Sequence, residues 1–194
     1  LTSKGERYSI AVSTDVLKSI RNYTSLNEIT LYNYVLTAFN ILLSSYANQD
    51  DLIIGTSVSG RIHAEIERIP GMFVHTIPLR NSLNKSRSFA QLTHDIQANT
   101  LEAFEHQEFP LERLLLNAEA NKEMGRNPWF DVVFLYQHAD LTSQTVQIGD
   151  AIFTASEYKS LNAKFDLTLE VIEAQDQLMF ILEYKTELFK PETI

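Results

Sequence analysis

The chain has 194 residues, 44% of them hydrophobic, enough apolar material for a sizeable core in one domain or two small ones. Sixteen basic residues against twenty-five acidic ones give a formal charge of −9. No Lys/Arg cluster interrupts that balance, which argues against a nucleic-acid or anionic-membrane partner. Zero cysteines exclude disulfides, thiolate metal sites and a cysteine nucleophile, and leave the redox compartment open. No apolar run reaches the ~18 residues of a membrane helix, and LTSKGERYS lacks the basic and apolar regions of a signal peptide, so cytoplasm is the default expectation. The first residue is Leu1, and Lys190-Pro191-Glu192 reads as the opening of a further helix, so a piece of a longer protein is expected.

In chain order, Glu6 to Val12 alternates Tyr8, Ile10 and Val12 against Arg7, Ser9 and Ala11, the pattern of a short strand with one buried face. Ser13 or Thr14 then caps a helix with Val16, Leu17, Ile20 and Tyr23 at helical spacing, and Thr30 caps a second helix through about Ala47. In that second helix Asn33, Thr37, Asn40 and Ser44 form one narrow stripe and apolar residues cover the rest, as in a buried helix. LIIGTSVSG (52–60) and MFVHTIPLR (72–80) are apolar without strict alternation and are read as interior strands of one sheet. The polar connection between them carries glycines at its ends, where a missing Cβ permits tight turns.

Ser88 caps a helix through about Gln107, and Pro110 opens a short continuation with Leu111, Leu114 and Leu115. A polar loop leads into WFDVVFLYQ, which places Phe130, Val132, Phe134 and Tyr136 on one strand face and Asp131 among apolar residues on the other, where it needs a partner. From His138 to Asn162 the pattern is weak, with at most a short strand at 151–154. Lys164 to Ile172 and Leu178 to Lys185 then read as a hairpin. The order β-α-α-β-β-α-β-(β)-β-β points to one α/β (α+β) unit with a mixed β-sheet packed with helices.

A search for chemistry finds no paired histidines, metal-spaced cluster or phosphate-cradling glycine loop among His63, His75, His94, His106 and His138. His94 and His106 read as solvated or capping residues. His75, on a strand read as buried, either lines a site or is a core histidine satisfied by backbone or water. Asp131 and Asp166 read as structural hydrogen-bonding groups before acid/base candidates.

Taken together, IGTSVSGR (54–61), PGMFVHTIPLR (70–80), HQEFPLERLL (106–115) and GRNPWFDVVFLYQ (125–137), in that order, resemble the C-terminal half of nonribosomal peptide synthetase condensation domains. The opening helices and the KFDLTLEV hairpin with LEYKTELF extend the resemblance over nearly the whole chain. The family usually has Asn at His75, Arg-Asp at Lys122-Glu123 and Ser at Gly125, departures that bear on fine substrate preference.

The resemblance implies a chloramphenicol acetyltransferase-like lobe spanning 1–194, one of two similar lobes in a V. The family's His-His-x-x-x-Asp-Gly motif lies in the other, N-terminal lobe, so no catalytic residue and no metal ligand is expected in this chain. Implied partners are that N-terminal lobe, donor and acceptor peptidyl carrier domains and an adjacent adenylation domain. No cofactor is expected on the chain itself; phosphopantetheine would be carried by the carrier domains. His75, Arg126, Asn127 and Asp131 are the residues expected to face the cleft. The connection 59–71 and part of 138–162 are expected to cross to the other lobe as floor and latch. Within the family the alternatives are an epimerisation or heterocyclisation lobe; the GMFVHTIPLR sequence argues against the former. A non-catalytic docking or scaffold module is the alternative from another class.

Overall fold

The computed structural model describes residues 3–111, 113, 127–138, 145–154, 161–174 and 176–194. The chain forms two compact units, Ser19–Phe134, and Leu1–Lys18 joined with Leu135–Ile194. The second brings the two ends of the sequence together, because the first strand pairs with the last. Local periodicity carries no trace of such a pairing.

In the unit Ser19–Phe134, helix α2 (Leu31–Ala47) starts where the sequence places it, with Thr30 extended and its hydroxyl accepting from the Asn33 N–H at 3.1 Å. Asn48 ends it in the left-handed conformation, φ 50°. The helix is buried over its polar stripe: Asn33, Thr37, Asn40 and Ser44 are buried, while Leu42 is 51% and Tyr46 72% exposed. The stripe tolerates burial because the helix satisfies part of it, Thr37 Oγ1 donating to Asn33 O at 2.7 Å and Asn40 Nδ2 to Leu36 O at 2.8 Å. The amides continue outward. Asn81 Nδ2 donates to Asn40 Oδ1 at 3.3 Å and Asn99 Nδ2 to Asn81 Oδ1 at 2.9 Å, linking α2 to a strand and a second helix.

That strand is β3 (His75–Ser82), antiparallel to β2 (Asp51–Val58) from Asp51↔Ser82 to Val58↔His75. The helix is α3 (Phe89–Glu105), begun by a reciprocal capping box between Ser88 and Gln91. Strand β4 (Val132–His138) pairs parallel to β2 at Gly55↔Val133 and Thr56↔Phe134, so the order here is β4-β2-β3 and the sheet is mixed. β3 is therefore an edge and not the interior strand expected. It also begins at His75, leaving Met72 93% exposed ahead of it. Within β3, Ile77, Leu79 and Asn81 are buried in alternation, as on a strand with one covered face. Pro78, which lacks an N–H, was the available signal of an edge.

Tyr32 at the start of α2 places its hydroxyl 3.3 Å from Thr56 Oγ1, which donates to Phe134 O at 2.9 Å, and its ring meets the Phe134 ring edge-on. Burial pushes the Tyr32 phenol up to about 12, against a smaller opposing pull from the Thr56 hydrogen bond. The folded protein thus keeps a proton that the unfolded chain releases near its ordinary pKa of 10.0. The contribution is fully present below that value and lost as pH rises through the folded one, at most about 3 kcal/mol. Denaturant unfolding at pH 8 to 11.5 should show Tyr32→Phe losing that part of the alkaline decline; an unchanged pH dependence would refute the assignment.

In the other unit, β1 (Gly5–Ala11) runs antiparallel to β8 (Gln177–Lys185), and β8 forms the expected hairpin with β7 (Leu167–Ala174) from Leu167↔Tyr184 to Ala174↔Gln177. The order is β1-β8-β7, followed by the end of β4. Tyr8 and Ile10, expected on a buried face of β1, are 52% and 47% exposed, because β1 ends the strand order and nothing described covers it. Asp166 and Lys185 form a buried ion pair at 2.8 Å. The weakly patterned stretch holds a second hairpin, β5 (Thr145–Ile148) with β6 (Ala151–Thr154), turning at Gly149, whose φ is 61°. Only β6 was expected. Helix α1 (Thr14–Leu26) leads from this unit into the other.

Candidate functional site

A cavity of about 710 Å³ lies in the unit Ser19–Phe134, lined by residues 75–78 of β3, Ala103 of α3 and the turn 106–111. The turn follows from the end of α3. His106 is its C-cap, with an N–H donating to Glu102 O, and Phe109 N–H donates back to His106 O at 3.0 Å, folding the chain over before Pro110. Gln107 Nε2 donates to Phe104 O at 2.8 Å and leaves the Gln107 carbonyl facing β3.

His75 joins the two walls. Its Nε2 lies 2.6 Å from Gln107 O and its Nδ1 3.2 Å from Phe73 O. The residue is exposed at the start of an edge strand, which corrects the buried-strand reading, but the backbone satisfaction expected of it is present. The remaining walls are largely apolar, from Ile77, Pro78, Ala103, Phe109 and Leu111. Charge enters at one place: the Glu108 carboxylate, 3.8 Å from His63 Nε2. Such a cavity suits a mostly uncharged, extended ligand held by shape and backbone groups.

Of the four residues expected at a cleft, the described lining includes His75 alone. Asn127 turns its side chain onto its own backbone, Oδ1 accepting from Trp129 N–H at 2.9 Å and Phe130 N–H at 3.3 Å across Pro128. Asp131 is half-buried just ahead of β4 and is not without a partner. Arg126 lies outside the described residues, as do Lys122, Glu123 and Gly125. His94 is exposed on α3, whereas His106 both caps the helix and lines the cavity. Sequence reading missed His106 and Gln107 as wall residues, although both lie in the HQEFPLERLL motif. Among the described residues no three His, Cys, Asp or Glu side chains could together hold a metal ion, and no helix is long and apolar enough to cross a membrane.

The connection 59–71 is organised by one side chain. Arg61 donates from its guanidinium to the carbonyls of Ile66, Glu67, Ile69 and Gly71, the last two at 3.0 Å, and lies 4.3 Å from the centre of the Phe73 ring. Sequence reading gave Arg61 no role.

Comparison with known proteins gives this geometry its setting. The chain is 38% identical over 192 residues to surfactin synthase subunit 2 of Bacillus subtilis (strain 168), covering 98% of this chain and 5% of that protein. It is likewise 38% identical over 192 residues to tyrocidine synthase 3 of Brevibacillus parabrevis, covering 98% of this chain and 3% of that one. The chain thus spans a small fraction of the relatives it matches. In structure it is similar to a four-domain nonribosomal peptide synthetase solved with AMP and glycine, with a TM-score of 0.89 and 24% identity over 98% of this chain and 16% of the other. The first condensation domain of the CDA synthetase superposes with a TM-score of 0.72 at 15% identity, covering 99% of this chain and 42% of that domain structure. The condensation domain profile matches residues 2–194, and the chain belongs to the condensation domain family.

Proposed function

We propose that this chain is the C-terminal lobe of a condensation domain that joins an acyl or peptidyl thioester to the amine of an aminoacyl thioester within a nonribosomal peptide synthetase. The observation that carries the reading is the family match over residues 2–194 in a chain that covers 42% of a solved condensation domain structure, the share of one lobe in two. In the reaction the acceptor nitrogen attacks the donor carbonyl, a C–N bond forms, the C–S bond breaks, and the amine proton leaves as the thiol is released. The group that manages the proton belongs to the other lobe in this reading. This chain's residues do positioning work: the apolar wall of the cavity and the backbone-braced His75 hold the tethered reactants and exclude water.

Both thioesters would arrive on phosphopantetheine arms of carrier domains, with an adenylation domain as neighbour. The arm is a chain of methylenes and two amides, and the cavity's largely apolar sides suit that chemistry. Exposed Ile148, Ile152 and Phe153 on the β5–β6 hairpin support a latch that crosses to the other lobe. The test is reconstitution with loaded donor and acceptor carrier domains and mass spectrometry of the products. The chain joined to its N-terminal lobe should form the amide, and the chain alone should not. Amide from the chain alone, above the no-protein background, would overturn the lobe assignment.

A further inference from the structure

We propose that Arg61 is a positioning residue for the cavity, acting through Phe73 on His75. The segment 61–71 has one 3-10 turn, Ala64–Ile66, and its residues are otherwise largely exposed, so no apolar core fixes its shape. The Arg61 guanidinium takes the place of a core. Its Nη1 reaches the carbonyls of Ile66, Glu67 and Ile69, its Nη2 reaches that of Gly71, and its face lies over Phe73. A planar fork with several fixed N–H directions and a stacking face can do all of this together. A lysine ammonium, with three donors and no face, cannot.

The neck of the loop is closed just as tightly. Gly60 has φ +64°, and a Cβ there would lie 2.2 Å from the Phe73 carbonyl oxygen and 3.2 Å from His75 Nδ1. That same carbonyl faces His75 Nδ1 at 3.2 Å, and the far nitrogen of the ring meets Gln107 O at 2.6 Å. A continuous set of contacts therefore runs from Arg61 to the Phe73 ring, along the Phe73 backbone to His75, and across the cavity mouth to the turn after α3. The imidazole lies between the Phe73 and Gln107 carbonyls, so a change in where Phe73 sits redirects it. Arg61 is not itself among the cavity's described lining residues. Its part is to hold one wall in register with the other.

The catalytic half of the test rests on the condensation reading and the structural half does not. In the intact synthetase carrying this chain, Arg61→Lys should lower the rate of amide formation about 10-fold or more, with the carriers kept at saturation so that the loss appears in kcat. In a His75→Ala background the same Arg61→Lys change should alter the rate by less than about 2-fold, because the group it positions is gone. Hydrogen exchange of the peptide covering 73–79 should rise in Arg61→Lys while peptides from α2 and β2 stay as protected as in the parent protein. Additive rate losses in the double variant, or unchanged exchange at 73–79, would overturn the positioning role. If the parent protein makes no amide, the condensation reading fails, and the exchange result alone still decides whether Arg61 fixes His75.

Discussion

Asp166→Ala should lower the stability of the folded protein by about 3 kcal/mol and its Tm by ~9 °C. Asp166 and Lys185 are among the buried polar residues, each 7% exposed, and their side chains meet at 2.8 Å. The same two residues are also tied through the backbone, Lys185 N–H donating to Asp166 O at 3.0 Å, which fixes the carboxylate opposite the ammonium. Removing the carboxylate leaves a buried ammonium without its counter-charge, and that uncompensated charge costs more than the pair itself contributes. Replacing both partners separates the two terms. Asp166→Leu with Lys185→Met removes both charges and should recover most of the loss, as seen in urea unfolding curves. A loss under about 1 kcal/mol for the single change would mean that water reaches Lys185 and the pair behaves as a surface bridge.

Asp166 also marks how far sequence reading went. It was read as a structural hydrogen-bonding group and lies just ahead of β7, but its partner lies 19 positions on, at the far end of β8, and was not legible. The elements that local chemistry dictates were legible: the Thr30 and Ser88 caps, α2, α3 and the β7–β8 hairpin all lie within a few residues of where the sequence puts them. β2 is interior, as expected, and what failed was the placing of β1 and β3 in the sheet. The alternation of Tyr8 and Ile10 marks one face of a strand but cannot say whether anything covers it. The apolar run at 72–80 marks a strand, and only pairing shows that β3 is an edge.

The site follows the same division. Its place on an apolar strand brought His75 forward, and the motif resemblance added to that, yet the cavity exists because residues 75–78 meet a turn some thirty positions later, and both of the histidine's partners are backbone carbonyls. Carbonyls carry no residue-type signal. The Arg61 clasp is hidden for the same reason, since all four of its hydrogen-bond acceptors are main-chain oxygens. Asn127 shows the converse case: an Asn before a proline is turn chemistry that residue type does carry, and its side chain makes a turn here.

Gly55→Val should destabilise the unit Ser19–Phe134 by about 3 kcal/mol, the upper end for overpacking a filled interior. Gly55 lies in β2 between two partners, Pro78 of β3 on one side and Val133 of β4 on the other, so its backbone cannot withdraw. A Cβ there would lie 2.3 Å from Phe130 Cε2 and 2.5 Å from Cδ2, and Phe130 is itself 4% exposed. The strain must therefore fall on the Phe130 ring. Phe130→Ala alone also destabilises, by roughly 3 to 5 kcal/mol, because it opens a cavity. The two changes share one volume, and the double variant should be more stable than the sum of the singles predicts by about 2 kcal/mol. Strict additivity in urea unfolding would mean that the β2 backbone yields after all. Phe130 N–H is also held by Asn127 Oδ1, so displacing the ring pulls on the Asn127 turn. Gly55→Val in the intact synthetase should then slow amide formation at temperatures where the protein is still folded, if that turn braces the channel. A full rate from folded protein would leave Asn127 with its turn alone.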